Sequence, residues 1–172
     1  MSQEKIRCSW PGENELMIQY HNNEWGVPIH EDRKLFEFMV LDSFQAGLSW
    51  QIILNNRNGF RSAFAEFNPV IIALFGKRDI ENMMNNKTII RNQLKIKATI
   101  SNSKYFLNIQ KEFGSFDSFI WQFTDGKTII NKWETTGDIP VSTPESDTMS
   151  KELKKRGFKF VGTTICYAFM QA

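Results

Sequence analysis

The segment from Asp32 to Trp50 constrains the fold more than any other, because it predicts two helices joined by a tight turn. Its first half carries apolar residues at helical intervals, namely Leu35, Phe36, Met39 and Val40. This pattern predicts a helix from Asp32 to about Asp42. Gly47 then predicts a turn, and Ser49 is a residue type that caps a new helix beginning at Trp50.

Asp42 lies on the apolar face of that predicted helix, four residues after Phe38 and three after Met39. A carboxylate in this position is costly unless it has a partner. The residues alone allow two interpretations. Asp42 either belongs to a ligand-binding site, or it caps the helix end or pairs with a lysine as part of the fold.

The rest of the chain also predicts helices, and strand signals are weak throughout. Helical patterns cover residues 58–67, 78–85, 91–113, 115–123 and 143–156, with a short helix after Pro69 and a last helix after Gly162. Residues 127–143 lack helical periodicity and contain Pro140, which predicts an extended loop. We therefore predict a single all-α domain over residues 1–172, with a hairpin element around residues 150–172.

Composition excludes several classes of protein. The 172 residues suit one domain, and a formal net charge of +2 does not by itself predict a polyanion partner. A local basic cluster exists, made of Lys151, Lys154, Lys155, Arg156 and Lys159. The sequence has no apolar run that could span a membrane, and its polar start lacks a signal-peptide core. Two cysteines make no disulfide framework, so we expect a cytoplasmic protein.

Aromatic residues on both sides of Asp42 suggest a pocket for a flat cation. The residues concerned are Trp10, Tyr20, Trp25 and Trp50. Ring faces attract a cation, and a carboxylate neutralises it. The alternative is that these rings form part of an ordinary core.

The turn after this helix predicts a second function. Leu48 follows Gly47 on a tight turn and could enter a stack of bases as an apolar wedge, while Gln45 could fill the gap left by a displaced base. The alternative is an ordinary corner between two helices, with Leu48 tucked inward.

The C-terminal region predicts a phosphate contact. A basic helix end at Lys155 and Arg156 is followed by a short turn and by a helix start at Gly162, Thr163 and Thr164. Free amides at a helix N-terminus favour a phosphate, and the pattern resembles a helix-hairpin-helix element that reads the DNA backbone. The alternative is a solvated basic face beside a normal turn.

Cys8 and His21 have side chains that suit zinc, but a structural zinc site needs four ligands. The other candidates, Cys166 and His30, have no helpful spacing. The residues alone therefore favour a buried cysteine beside a hydrogen-bonded histidine over a metal site.

Several separate segments, spread over nearly the whole chain, together resemble the 3-methyladenine DNA glycosylase I family. They are residues 8–10 (CSW), 20–28 (YHNNEWGVP), 45–50 (QAGLSW), 90–92 (IRN) with Lys95 and Ile96, and 154–167 (KKRGFKFVGTTICY). The resemblance implies an all-α member of the helix-hairpin-helix glycosylase superfamily. It also implies an enzyme that excises 3-methyladenine from alkylated double-stranded DNA and acts as a monomer.

The resemblance also implies roles for matching positions. It places the pocket acid, which acts in catalysis and base binding, at Asp42. The base-binding aromatic residues fall at Trp10, Tyr20 and Trp50, with Trp25 nearby. The DNA-inserting turn falls on Gln45, Gly47 and Leu48. The first half of a structural zinc site falls on Cys8 and His21, and we expect a C-terminal tail with the second ligand pair to be missing.

Two departures from the family pattern concern base recognition. The pocket acid is usually Glu, so Asp42 is one methylene shorter, which retracts the carboxylate from the base. A further pocket aromatic is expected where this chain has Met17. The main alternative is therefore a protein that binds alkylation damage without cleaving it, and a blander one is a helical interaction protein. No lysine is clearly placed for a Schiff base, which predicts a monofunctional glycosylase.

Overall fold

The computed structural model describes residues 7–172, and within this range it contains ten α-helices and no strand. The α-helices are α1 Glu15–Asn23, α2 Asp32–Gln45, α3 Trp50–Asn55, α4 Arg57–Ala63, α5 Pro69–Ile72, α6 Lys77–Asn85, α7 Gln93–Phe113, α8 Phe116–Trp121, α9 Pro144–Lys155 and α10 Thr163–Gln171. Short 3-10 segments lie at Ala65–Phe67, Gln122–Thr124 and Thr136–Asp138. The predicted all-α class is confirmed. No described helix has both the length and the apolarity that crossing a bilayer would require.

Capping residues set most of the predicted helix ends. Ser49 caps α3 by accepting a hydrogen bond from the amide of Ile52, and Thr143 with Pro144 begins α9. The predicted loop over residues 127–143 contains one 3-10 turn and is otherwise irregular. Sequence analysis did not predict α1, although Asn14 caps it through the amide of Met17.

Helix α2 is the centre of the molecule, and it contacts α3, α7, α8 and α10. Every residue from Leu35 to Phe44 on it is buried. Nine phenylalanines are almost fully buried around it, namely Phe36, Phe38, Phe44, Phe60, Phe64, Phe67, Phe106, Phe116 and Phe119. Most of the aromatic content therefore forms the core, and α2 is the rigid element on which a site can be built.

Polar contacts anchor the first half of α2. At its start, the Asp32 carboxylate accepts hydrogen bonds of 2.8 Å from the amides of Phe116 and Asp117, which begin α8. In the next turn, Glu37 accepts hydrogen bonds from Arg57 at 2.8 Å and from Arg61 at 2.8 Å.

Arg57 links this acid to the end of α1, because its guanidinium also holds Glu24 through two hydrogen bonds of 2.7 Å. This bidentate pair is the strong, directional form of an arginine–carboxylate contact. Lys34 lies 3.1 Å from Glu24 and 3.3 Å from Glu37, which completes the ion network. The network fixes α1, α2 and α4 relative to one another.

Helices α9 and α10 form the predicted hairpin and pack on each other. Gly157 ends α9 with a φ of +98°, and a Cβ atom there would lie 2.6 Å from Cζ of Tyr105 on α7. Glycine is therefore needed both for the backbone conformation and for the close approach to α7.

Candidate functional site

Asp42 is buried on α2, and its side chain is 2% exposed. Its Oδ2 atom has no hydrogen-bond partner among the described residues. Burial raises the pKa of this carboxyl well above its usual range. The structure therefore contradicts the interpretation of Asp42 as a helix cap or as the partner of a lysine, since neither contact occurs in residues 7–172.

Three of the four predicted aromatic residues form one cluster near Asp42. Tyr20 on α1 lies 5.1 Å from Trp50, the first residue of α3, and 6.3 Å from Trp10, measured between ring centroids. Burial, and after it the charge of Asp42, raises the pKa of the Tyr20 phenol above its usual value. The Tyr20 ring also lies 6.2 Å from the ring of Phe38, which is about one helical turn before Asp42 on α2.

Trp25 lies at the edge of this cluster. Its ring is 5.3 Å from Trp10 and stacks on His21 at 5.5 Å. It also lines a separate cavity of about 690 Å³, together with Val27, Trp121 and other residues. The structure thus connects Trp25 to the predicted site through the Trp10 ring and through the Trp25 amide, which donates to the Tyr20 carbonyl at 2.9 Å.

Two buried polar atoms of the site lack partners. They are Oδ2 of Asp42, an acceptor, and Nε1 of Trp50, a donor. Buried polar groups are normally hydrogen-bonded, so an unpaired acceptor on α2 and an unpaired donor on the adjoining α3 indicate that a ligand completes them.

The space beside Asp42 is small. Its cavity measures about 10 Å³ and is lined by residues that include Met39, Leu153, Cys166 and Phe169. Burial raises the pKa of the Cys166 thiol to about 12, which reflects how dry this space is. A cavity of this size holds no molecule larger than a water, so a larger ligand would reach Asp42 only after side chains move.

Residues 45–48 form a type II β-turn. Ala46 has φ −46° and ψ 111°, Gly47 has φ +80°, and the amide of Leu48 donates to the Gln45 carbonyl at 2.6 Å. Gly47 supplies the positive φ that this turn type requires. Leu48 is 37% exposed on the turn and is not tucked inward. Its side chain is therefore free to contact another molecule.

The hairpin loop between α9 and α10 is held by side chains from three helices. Asn102 of α7 donates to the Lys159 carbonyl and accepts from the Lys159 amide, each at 2.9 Å. Ser43 of α2 donates to the Phe160 carbonyl at 3.2 Å, and Ser150 of α9 donates to the Val161 carbonyl at 2.7 Å. These contacts support Phe160 in a left-handed conformation with φ +55°.

At the start of α10, only some of the hydrogen-bond donors are available to bind an anion. Gly162 is the N-cap residue and has no side chain to satisfy the first amides, while Thr164 is exposed. The hydroxyl of Thr163, in contrast, donates to Asp147 and lies 3.3 Å from Oγ of Ser146. The backbone amides at Gly162–Thr164 therefore remain candidates for a phosphate, but the Thr163 hydroxyl is already engaged.

Arg156 belongs to the predicted basic cluster but faces the protein body. It forms hydrogen bonds of 2.6 and 3.0 Å with Glu112 and lies over the rings of Phe113 and Phe119. The exposed lysines of the cluster are Lys151, Lys154, Lys155 and Lys159. These four, rather than Arg156, supply the positive surface near the hairpin.

Cys8 and His21 do not complete a metal site within residues 7–172. No group of three or more His, Cys, Asp or Glu residues in this range could hold a metal ion. Nδ1 of His21 lies 3.0 Å from Oδ1 of Asn22, and its Nε2 is buried without a partner. Cys8 is exposed, so the predicted buried cysteine is wrong. Cys8 and His21 are half of the ligand set that a closed four-ligand zinc site needs.

Sequence analysis missed the residues that position the site. Lys95, Asn102 and Ser43 bind backbone carbonyls that are distant in sequence, and such contacts leave no spacing pattern. Lys95 did occur in a family-like segment, which was the only available signal.

Comparison with known proteins identifies the family. A family model described as methyladenine glycosylase matches residues 10–172. The chain is 45% identical over 166 residues to DNA-3-methyladenine glycosylase 1 of Escherichia coli (strain K12), which covers 96% of this chain and 89% of that protein.

Solved structures agree with this match. A crystal structure of 3-methyladenine DNA glycosylase I has a TM-score of 0.94 and 48% identity, over 97% of this chain and 92% of that one. A variant 3-methyladenine DNA glycosylase I in complex with 3-methyladenine has a TM-score of 0.93 and 30% identity, over 96% and 89% of the two chains.

The helical fold and the hairpin are those of a helix-hairpin-helix DNA glycosylase. Because the family model spans nearly all the described residues, the chain belongs to the methyladenine glycosylase family. The predicted family and fold class are both confirmed.

Proposed function

We propose that this chain hydrolyses the N-glycosidic bond of 3-methyladenine in alkylated double-stranded DNA. The observation that carries the proposal is the buried, unpaired Oδ2 of Asp42 beside the rings of Tyr20 and Trp50. Family membership and the similarity to a glycosylase solved with 3-methyladenine support the same substrate.

The charge of the damaged base explains the chemistry of this pocket. Methylation at N3 makes adenine cationic while it is attached to the sugar, so it is both a flat cation and a good leaving group. Aromatic rings attract its face, and Asp42 supplies the negative charge and an acceptor for its edge. The cation lowers the pKa of Asp42, which ionises as the base binds. A neutral adenine would offer no such compensation.

Base extrusion is assigned to the turn at residues 45–48. Unstacking and unpairing a base costs a few kcal/mol. The exposed Leu48 enters the vacated stack, and the neighbouring Gln45 faces the orphaned partner base. The amides at the start of α10, with Gly162 and Thr164, hold the strand by a phosphate without reading its sequence.

The chemical step breaks the bond between C1′ of the sugar and N9 of the base. The base leaves with the bonding electrons as neutral 3-methyladenine, and positive charge develops on the sugar. The Asp42 carboxylate stabilises that charge. A water oxygen then adds to C1′ and releases a proton to solvent, which leaves an abasic site in the intact strand.

The reaction stops at the abasic site, without strand cleavage by a lysine. Among the described residues, no lysine lines the space beside Asp42, and the ammonium of the buried Lys95 donates to two backbone carbonyls. Borohydride added during the reaction should therefore trap no covalent protein–DNA adduct. A trapped adduct would contradict the monofunctional mechanism.

The test of the activity is base release. Protein incubated with methylated duplex DNA should release free 3-methyladenine, identified by chromatography, and Asp42→Asn should not. The second candidate is a damage-binding protein without excision, which the short Asp42 side chain and its closed cavity favour. Binding to methylated duplex without release by the wild-type chain would establish that alternative.

Three finer points remain proposals. We propose a monomer in the cytoplasm, which sedimentation and cell fractionation test. We also propose zinc as a structural half-site on Cys8 and His21, with no role in the reaction. The zinc content of the purified protein should decrease in the Cys8→Ala and His21→Ala variants. Equal zinc content in the variants and the wild type would refute this site.

A further inference from the structure

Lys95 is a buried cation that no carboxylate neutralises. It is 6% exposed, and its Nζ atom donates hydrogen bonds of 2.8 Å to the Phe44 carbonyl and 2.7 Å to the Ala46 carbonyl. No ion pair with an acidic side chain is found for it in residues 7–172. Burying an ammonium is costly, so its two carbonyl partners must matter to the fold or to the function.

Those two carbonyls flank the first residue of the DNA-inserting turn. Phe44 is the residue before Gln45, and Ala46 is the residue after it. Helix α2 ends at Gln45, so its last carbonyls have no partner within the helix and carry the negative end of its dipole. The single ammonium group of Lys95 thus binds one carbonyl at the end of α2 and one in the turn.

The same face of α7 also holds the hairpin. Asn102 lies seven residues, or about two helical turns, after Lys95 and forms both hydrogen bonds to the backbone of Lys159. The ammonium of Lys95 lies 6.0 Å from the ring centroid of Phe160, the next residue of the hairpin loop. One rigid helix therefore contacts both elements that we assign to DNA.

We propose that Lys95 is a positioning residue for base extrusion, which fixes the turn at residues 45–48 and sets its distance from the phosphate-binding hairpin. This inference rests on the proposed function. In this proposal the turn and the hairpin contact the same strand at a set separation. That separation is defined by α7 through Lys95 and Asn102, together with the hydrogen bond from Ser43 of α2 to the Phe160 carbonyl.

Lys95 does not act through the pocket acid. Its ammonium donates to the Phe44 and Ala46 carbonyls, and no ion pair joins it to Asp42 within residues 7–172. Loss of Lys95 should therefore weaken insertion into duplex DNA and leave the binding of a free base unchanged. A merely structural role would weaken both.

The experiment compares Lys95→Met with Lys97→Met, a matched control on an exposed position two residues along α7. The probes are a duplex with a tetrahydrofuran abasic analogue next to 2-aminopurine, and free 3-methyladenine. Lys95→Met should reduce affinity for the duplex about tenfold, the effect of losing one charge-assisted hydrogen bond, and abolish the 2-aminopurine signal of insertion. Lys95→Arg keeps the charge and the donors and should recover part of that affinity.

Unchanged duplex affinity and insertion in Lys95→Met would overturn the inference, as would equal losses of duplex and free-base binding. Measurements below the melting temperature of each variant separate binding from unfolding, and Lys95→Gln replaces Lys95→Met if the latter does not fold. A wild-type chain that releases no 3-methyladenine would refute the proposed function. It would not refute this inference, because the affinities of the variants for the abasic duplex can still be compared.

Discussion

Glu37 and Asp42 are two buried carboxylates on the same helix, five residues apart, and their surroundings differ completely. Glu37 accepts hydrogen bonds from Arg57 and Arg61 and lies 3.3 Å from Lys34. Burial alone would raise its pKa, but the hydrogen bonds and charges of these cations hold the pKa of Glu37 below its usual value.

Asp42 has the same burial and none of these partners, so its pKa is raised where that of Glu37 is lowered. A folding protein has no reason to bury an unpaired acid, since the cost is not recovered within the fold. The comparison teaches that the paired carboxylate holds the structure together, whereas the unpaired one is reserved for a ligand.

The largest effect that distinguishes the two acids should be on excision. Asp42→Asn removes the charge that stabilises the developing sugar cation, and we expect base release to fall by about a thousandfold, as for loss of a preorganised electrostatic group. Its fold should persist by circular dichroism. Release within a few-fold of wild type would mean that Asp42 is as structural as Glu37.

The reverse pattern is expected for Glu37→Gln. Removing one partner of a buried ion pair costs about 3 kcal/mol, so the free energy of unfolding should fall by about that amount in a urea titration. Excision at a temperature where the variant is folded should remain near wild type. A variant that is as stable as the wild type but inactive would show that Glu37 belongs to the site. The contrast between the two acids would then not hold.

The pH dependence of stability should have opposite signs for the two acids. Glu37, with a lowered pKa, contributes stability above its unfolded pKa that is lost as the pH falls through its folded pKa. For Asp42 the pKa is raised, so its contribution is present below its unfolded pKa and is lost as the pH rises through its folded pKa.

Asp42→Asn should therefore gain stability over wild type as the pH rises, by about 1 kcal/mol or more, the cost of one unsatisfied buried group. As the pH rises, Glu37→Gln should instead lose stability relative to wild type. Urea titrations across the neutral and acidic range measure both trends. Parallel curves for the two variants would show that the two acids share one environment.

The smallest effect should come from Arg61→Met. Arg61 binds Glu37 but is 36% exposed, and Arg57 remains to pair with that acid. Exposed ion pairs contribute about 1 kcal/mol or less, so thermal unfolding should shift only slightly. A loss as large as that of Glu37→Gln would show that the network depends on all of its members and not on Arg57 alone.

Periodicity and capping predicted the parts of the site that lie close together in sequence. The apolar repeat placed Asp42 inward, Gly47 predicted the turn, and Ser49 predicted the start of α3. The family-like segments then gave the aromatic cluster. These signals are local, because helix geometry and turn chemistry depend on neighbouring residues.

The remaining parts depend on contacts that join distant residues. Lys95 binds backbone carbonyls 49 and 51 residues away, and Arg156 pairs with Glu112, 44 residues earlier. A carbonyl acceptor has no sequence signature, so the role of Lys95 could not be predicted. Helix α1 was missed because its residues were interpreted as a functional motif, although Asn14 is an evident cap.

The anchoring of α2 at both ends has a consequence for how the protein searches DNA. Asp32 ties its first turn to α8, and Lys95 ties its last carbonyls to α7, so retraction of the turn that we propose to insert into DNA would break the hydrogen bonds of Lys95. Because the turn is held in place, the duplex must deform to accommodate it. The time spent at each base pair is then governed by how easily that step unstacks, and repair rates should follow the sequence around the lesion.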